Sequence, residues 1–298
     1  MPAAASNRIH RYDRLWATVF IGPQLVGLLV FALFPLVAGL ALSFAHWDGL
    51  GAITWAGLDN FSEQLRDPLL RKALLNTLLY TALTVPTGLV IALALALALD
   101  RIRGRMLYRV VYFAPVVTSS VAVAVVWSYL LGGSDGVVNS GLHAVLGVTP
   151  PDWLADTHTV MLAIAGVTIW WTVGLNLVIF LAGLQSLPRS VLEASEVDGV
   201  TGWHKLRLVT LPLLSPTIFF SAVVAIISSL QMFDQAYVMT KGGPLDASRT
   251  LVFHAYDLAF RSFDFGGASA ASMLLFVLTL LVTLVQLRLQ RRWVHYDS

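Results

Sequence analysis

Charge along this chain comes in short islands separated by long uncharged stretches. Six runs contain no Asp, Glu, Lys or Arg: residues 15–47, 73–99, 110–133, 157–188, 208–233 and 265–287. A helix needs about 20 apolar residues to cross the hydrocarbon of a bilayer, so every run is long enough to span. A seventh run, 136–151, is shorter and is interrupted by Asn139, Gly141, Gly147 and the adjacent Pro150 and Pro151. It predicts a loop carrying a short interfacial helix. Residues 92–99 alternate Ala and Leu, a period of two that in isolation suggests a strand. They lie inside a 27-residue uncharged run and use two of the best helix formers, so the prediction is helix. Pro35, Pro86 and Pro115 fall in or near these runs, as membrane helices permit when neighbours satisfy the freed carbonyls. The first run follows basic residues that could mimic the start of a signal peptide. It is too long for a signal core and lacks a clear small-residue cleavage site, so it predicts a retained helix.

Composition agrees with this pattern. The chain has 298 residues, 57% hydrophobic and 12% charged, with mean hydropathy +0.75. A soluble domain carries about 25% charged residues, which rules out disorder and argues strongly against an ordinary globular fold. The expected fold is an all-α polytopic membrane protein, a single domain over residues 1–298 with six transmembrane helices. A net charge of +2 gives no reason to expect a nucleic-acid partner; the expected surroundings are lipid. With no cysteine there is no disulfide framework, thiolate metal site or Cys nucleophile.

Basic residues predict the orientation. Residues 1–14, the 2–3 loop, the 4–5 loop and the tail 288–298 together hold 13 Lys and Arg, against 6 in the alternate loops. Both termini are therefore expected in the cytoplasm, with outer loops near 48–72, 132–158 and 239–264.

The cytoplasmic loop at 185–213 is the richest in turn and cap signals. Pro188 suits a first helical turn, and Ser190 with Glu193 matches a capping box. Gly199 is placed to end that helix with a positive φ. Thr201 could cap a second segment carrying Trp203, Lys205, Leu206 and Arg207, which Pro212 is expected to stop before the fifth span. A partly apolar, structured element on that face predicts docking to another protein.

Glu193, Ala194 and Ser195, then Asp198, Gly199, Val209, Leu211 and Pro212 at their spacing, resemble the EAA signature of binding-protein-dependent ATP-binding-cassette importers. Ser195 replaces the second alanine and Val209 an isoleucine. The segments from Gly57 to Phe61, around Asn76 and from Phe233 to Pro244 are similar to the maltose-, lactose- and glycerol-phosphate-type permease group. The resemblance implies a type I importer permease subunit of a bacterial inner membrane, translocating a sugar or sugar-like solute by alternating access. It implies a heterodimer with a second permease, two ATPase subunits docked on the EAA element, and an extracytoplasmic solute-binding protein. ATP and Mg would then be bound by the ATPases, and this chain would be no enzyme. It contains no Gly-Lys dipeptide, hence no P-loop.

Within the spans, Asn176 lies near the middle of the fourth, with Trp170 and Trp171 outward of it, and Gln231 and Asp234 close the fifth. Amides, a carboxylate and aromatic faces suit a sugar, making Asn176, Gln231, Asp234 and Trp170 candidate path residues. Trp also belongs to interfacial belts and amides also join helices, so a structural role is the competing reading. Two other functions stay open. A stand-alone secondary transporter or channel would need its own coupling-ion site, and no cluster of intramembrane acids supplies one. An intramembrane hydrolase would need a nucleophile; Ser134 in Gly132-Gly133-Ser134-Asp135-Gly136 matches the nucleophile-elbow pattern but lacks its strand–turn–helix setting. The seven histidines contain no pair at metal-ligand spacing.

Overall fold

The computed structural model describes residues 3–100, 102, 105–133, 136–148 and 150–293, with side chains from Trp16 to Gln290. Ser134, Arg101, Arg103, Gly104 and residues 294–298 of the tail 288–298 fall outside the described residues.

Helices dominate. Among the described residues five are long and apolar enough to cross a membrane: Trp16–Leu42, Pro68–Asp100, Val160–Ser186, Gly202–Leu230 and Phe265–Gln290. We label the helices in chain order: α1 (Ala3–Leu28), α2 (Phe34–Leu42), α3 (Asp59–Arg66), α4 (Pro68–Asp100), α5 (Arg105–Val117), α6 (Ser120–Leu131), α7 (Val137–Leu146), α8 (Val160–Ser186), α9 (Arg189–Val197), α10 (Gly202–Lys205), α11 (Leu211–Leu230), α12 (Leu251–Phe260) and α13 (Phe265–Trp293). A two-residue ladder pairs β1 (Ala45–His46) with β2 (Thr54–Trp55). The expected helix in 136–151 is α7; α3 and α12 were not expected.

The third expected span is not straight. Residues 110–133 divide into α5 and α6, bent 95° at a short break. Pro115 lacks the N–H that would continue the hydrogen-bond ladder, and Ser119 turns extended (φ −56°, ψ 136°) before α6 starts. The carbonyl of Thr118 freed by the break accepts a hydrogen bond from the Trp171 indole at 3.2 Å.

Two other prolines leave their helices continuous. α1 joins α2 through a π-turn at Leu29–Leu33, just ahead of Pro35. α10 joins α11 through a second at Leu206–Thr210, just ahead of Pro212. A wide turn with i→i+5 bonding makes room for the ring and its missing donor. Pro212 therefore does not stop the segment before the fifth span, as its sequence position suggested; Gly202–Leu230 is one continuous helix.

The core forms where α4 and α8 pack side by side. Tyr80 clusters with Ile164 and Val167, and Ala92 and Ala96 with Leu177 and Phe180. Contacts that advance together along both helices mean that spans two and four run parallel. The alternating Ala/Leu stretch is helical, burying Ala92, Ala96 and Leu99 on one face. Against α5 the approach is closer still: a Cβ on Gly174 would sit 1.9 Å from the Tyr112 carbonyl oxygen, so only glycine fits between these backbones. By contrast, no residue of Trp16–Leu42 is buried.

Candidate functional site

Two places gather the candidate residues, one inside the bundle and one at its end. The inner one is a cavity of about 290 Å³ between α4, α8, the start of α6 and the end of α11. Asn176, Gln231 and Asp234 all line it, joined by Tyr80, Thr84, Ser120 and Ser228. The bend between α5 and α6 swings Ser120 inward, where its hydroxyl donates a short hydrogen bond to the Asp234 carboxylate. Ser229 donates to Thr81 at 3.0 Å, tying α11 to α4 beside the cavity.

Trp170 does not join this group. It is 45% exposed and packs edge-on against Trp127 at 5.4 Å, outside the cavity. Its neighbour Trp171 lines the cavity instead, held by its bond to Thr118. Adjacent helical residues lie about 100° apart, so only one of the pair can face inward.

The cavity pairs one carboxylate with hydroxyls, three amides and aromatic rings, a set suited to hydrogen-bonding a polar solute. Among the described residues that line it there is no histidine. Among the described residues no group of three or more His, Cys, Asp or Glu could hold a metal ion.

The second place is the α9–α10 element. Its first helix starts at Arg189 with Pro188 as N-cap and no side-chain cap bond. The expected box between Ser190 and Glu193 is thus not formed, because the helix begins two residues earlier and puts Ser190 inside it. The far end closes as expected: Gly199 takes φ +76°, its N–H bonds Glu196 O at 3.1 Å, and the Val200 N–H bonds Ser195 O at 2.9 Å. This pair of bonds is a Schellman closure. Thr201 stands at the N-cap of α10 without a side-chain cap bond. Gly202 also has a positive φ, +57°, which the sequence reading missed.

Lys205 ties the two helices together, donating to Leu192 O at 3.2 Å and to Glu196 at 2.6 Å. That bond and charge hold the Glu196 carboxyl below its usual range. Ser195 faces inward and bonds Leu192 O at 2.7 Å, whereas Glu193, Ala194, Asp198 and Gly199 are exposed. Leu211 and Pro212 are half-buried in the continuous helix beyond. A groove runs between this element and the ends of α4 and α8, lined by Asp100, Leu187, Glu196 and Trp203.

A family described as "Binding-protein-dependent transport system inner membrane component" matches residues 72–295. The chain belongs to that family. The "Probable ABC transporter permease protein YesP" of Bacillus subtilis (strain 168) is 36% identical over 99% of this chain and 97% of its own length. The lactose transport system permease protein LacF of Rhizobium radiobacter is 31% identical over 96% of this chain and 97% of its own. The sn-glycerol-3-phosphate transport system permease protein UgpA of Agrobacterium fabrum (strain C58 / ATCC 33970) is 30% identical, covering 95% of this chain and 97% of its own. In fold, the chain is similar to one from the crystal structure of a bacterial alginate ABC transporter in complex with its alginate pentasaccharide-bound periplasmic protein. The TM-score is 0.83 at 23% identity, covering 98% of this chain and 99% of that one. The chain is accordingly a membrane-embedded translocation subunit of an ATP-binding-cassette importer with the type I permease fold.

Proposed function

We propose that this permease forms half of the path for a sugar or sugar-like solute, and that the α9–α10 element is where ATPase subunits dock. The observation that carries the proposal is the form of that element. Its first helix is closed at the C-terminal end by its own backbone, yet Val197 and Trp203 project 88% and 66% exposed, in the same element as Glu193 and Ala194 of the EAA-like segment. A self-supporting helix pair with apolar residues outward is suited to a cleft in another protein. Closure of two ATPases on ATP would move it as a unit, and the continuous helix Gly202–Leu230 would carry that motion to Gln231 beside the cavity. Alternating access then needs only differential packing of the bundle, with no covalent step in this chain. A second permease would complete the path as a heterodimer, and a loaded solute-binding protein would dock at the opposite end. Nucleotide and Mg stay with the ATPases.

The 13-to-6 basic bias supports cytoplasmic termini and a cytoplasmic α9–α10 element. Because the chain lacks cysteine, Ser190→Cys and Leu50→Cys test this directly. An impermeant thiol reagent on spheroplasts should label the variant at Leu50 and spare that at Ser190; the reverse pattern overturns the orientation. The purified chain alone should not hydrolyse ATP, while the assembled importer should. An S190C crosslink to the ATPase supports docking, and a crosslink only to lipid or the other permease refutes it.

A further inference from the structure

We infer that the cavity admits an uncharged, polyhydroxylated cargo and excludes one bearing phosphate or carboxylate; this rests on the proposal that the cavity belongs to the translocation path. Family membership leaves the charge of the cargo open, since relatives are named for lactose and for sn-glycerol-3-phosphate transport. The lining of this chain is more specific. Among the described residues that form it, Asp234 is the one formal charge, and no Lys, Arg or His is present. The arginines beyond the end of the fifth span are already engaged: Arg249 with Asp246 at 2.8 Å and Asp257 at 2.7 Å, and Arg261 with Asp257 at 3.2 Å.

A carboxylate only accepts hydrogen bonds. With Ser120 donating to one of its oxygens, it offers its remaining acceptor capacity to a hydroxyl. Asn176 and Gln231 supply both donors and acceptors, and the Trp171 and Phe233 rings line the same space as apolar faces for sugar C–H groups. An anion entering here sheds water, meets no cation and approaches a like charge, each of which disfavours it.

The test uses the whole importer in proteoliposomes, with cysteine-free partner subunits and Ser228→Cys in this chain. Two thiosulfonate reagents of equal size, one trimethylammonium and one sulfonate, are compared after correction for their rates with a free thiol. The cationic reagent should react about tenfold faster or more, as a focused negative potential requires. Asp234→Asn in the same background should bring the ratio toward one. Thr84→Cys repeats the measurement from α4 should the first variant assemble poorly. Equal rates, or a faster sulfonate, with Asp234 intact overturn the inference. So does protection of S228C by glycerol 3-phosphate or an alginate pentasaccharide.

A separate readout tests the translocation reading. Labelling from one side should change when a non-hydrolysable ATP analogue holds the ATPases closed. A strong charge preference with a rate indifferent to nucleotide removes that reading and leaves the electrostatics standing.

Discussion

The two ends of the bundle both have to stop helices and turn the chain, and they do so with different chemistry. At the α12 end the turns are held by side chains reaching across the sequence. Asn60, fully buried, donates to Ser43 O at 3.0 Å and Ala45 O at 2.9 Å. Asn76 does the same for Asp246 O at 2.8 Å and Arg249 O at 2.9 Å, and Thr250 donates to Met232 O while capping α12. Phe233, Tyr237, Phe253 and Tyr256 stack over this frame. At the α9 end the turn is closed mostly by its own backbone and by Gly199; exposed apolar side chains occur at both ends, Val197 and Trp203 here, Leu50 and Leu245 there. The first end is braced by side-chain bonds between segments distant in sequence, the second by bonds within one short stretch.

The largest effect that would blur this contrast is expected from Asn60→Leu. It removes two buried hydrogen bonds and leaves two carbonyls unpaired, a loss of about 2–4 kcal/mol. Thermal unfolding of the purified importer should show it, while uptake per inserted complex stays normal. If uptake per molecule falls instead and stability holds, the α12 end is not the structural clamp described.

Gly199→Val should do the opposite. Nothing lies within 4 Å of a Cβ there, so the cost is conformational, about 1–2 kcal/mol for a left-handed L-residue and more for a β-branched one. Insertion should be preserved, while uptake and cargo-stimulated ATP hydrolysis fall together by about tenfold. Gly199→Asn, which tolerates this φ, should retain most activity. Normal transport by the valine variant would make the loop a plain connector.

Lowering the pH just below about 6.5 should loosen the α12 end first. Burial depresses the pKa of His254 below its ordinary 6.5, with Asp67 partly opposing this; the ring meets Gln64 at 2.9 Å. The unfolded chain therefore takes up the proton first. This stabilisation is full above 6.5 and is lost as the pH falls toward the lower folded value. Hydrogen exchange of α12 amides should quicken below about pH 6.5, and His254→Gln should flatten that response.

The smallest effect belongs to Lys205→Met. Its pair with Glu196 is open to solvent, where salt screens it. Because the pair lowers the Glu196 pKa, its contribution is present at neutral pH and fades as pH falls through that lowered value. Crosslinking of S190C to the ATPase should weaken slightly, and equally so at high salt with Lys205 intact.

Much of the architecture was legible because uncharged length and helical span are nearly the same quantity in a bilayer. Gly199 was legible for an equally local reason, a glycine at the end of a helix-favouring segment. The bend at Thr118–Ser119 was not, since Pro115 marks a weak point without saying whether a neighbour such as Trp171 will hold the broken end. Choosing Trp170 over Trp171 failed because α8 is apolar nearly all round, so periodicity cannot tell which face looks inward. Asn60, Asn76 and Thr250 matter through partners at separations of 15 to 173 residues, and no local pattern reveals those. Asn176, Gln231 and Asp234 were singled out as rare polar residues in apolar runs, and the structure places them around one cavity.

The π-turn at Leu206–Thr210 also sets an angle. A π-turn is one residue more than the α-helix needs, and each residue advances a helix by 100°. Deleting a single residue there would restore plain α geometry and rotate Trp203 and the whole α9–α10 element by roughly that angle relative to α11. The direction in which the element points is therefore encoded as a phase, written by one extra residue, and separable from every contact the element itself makes.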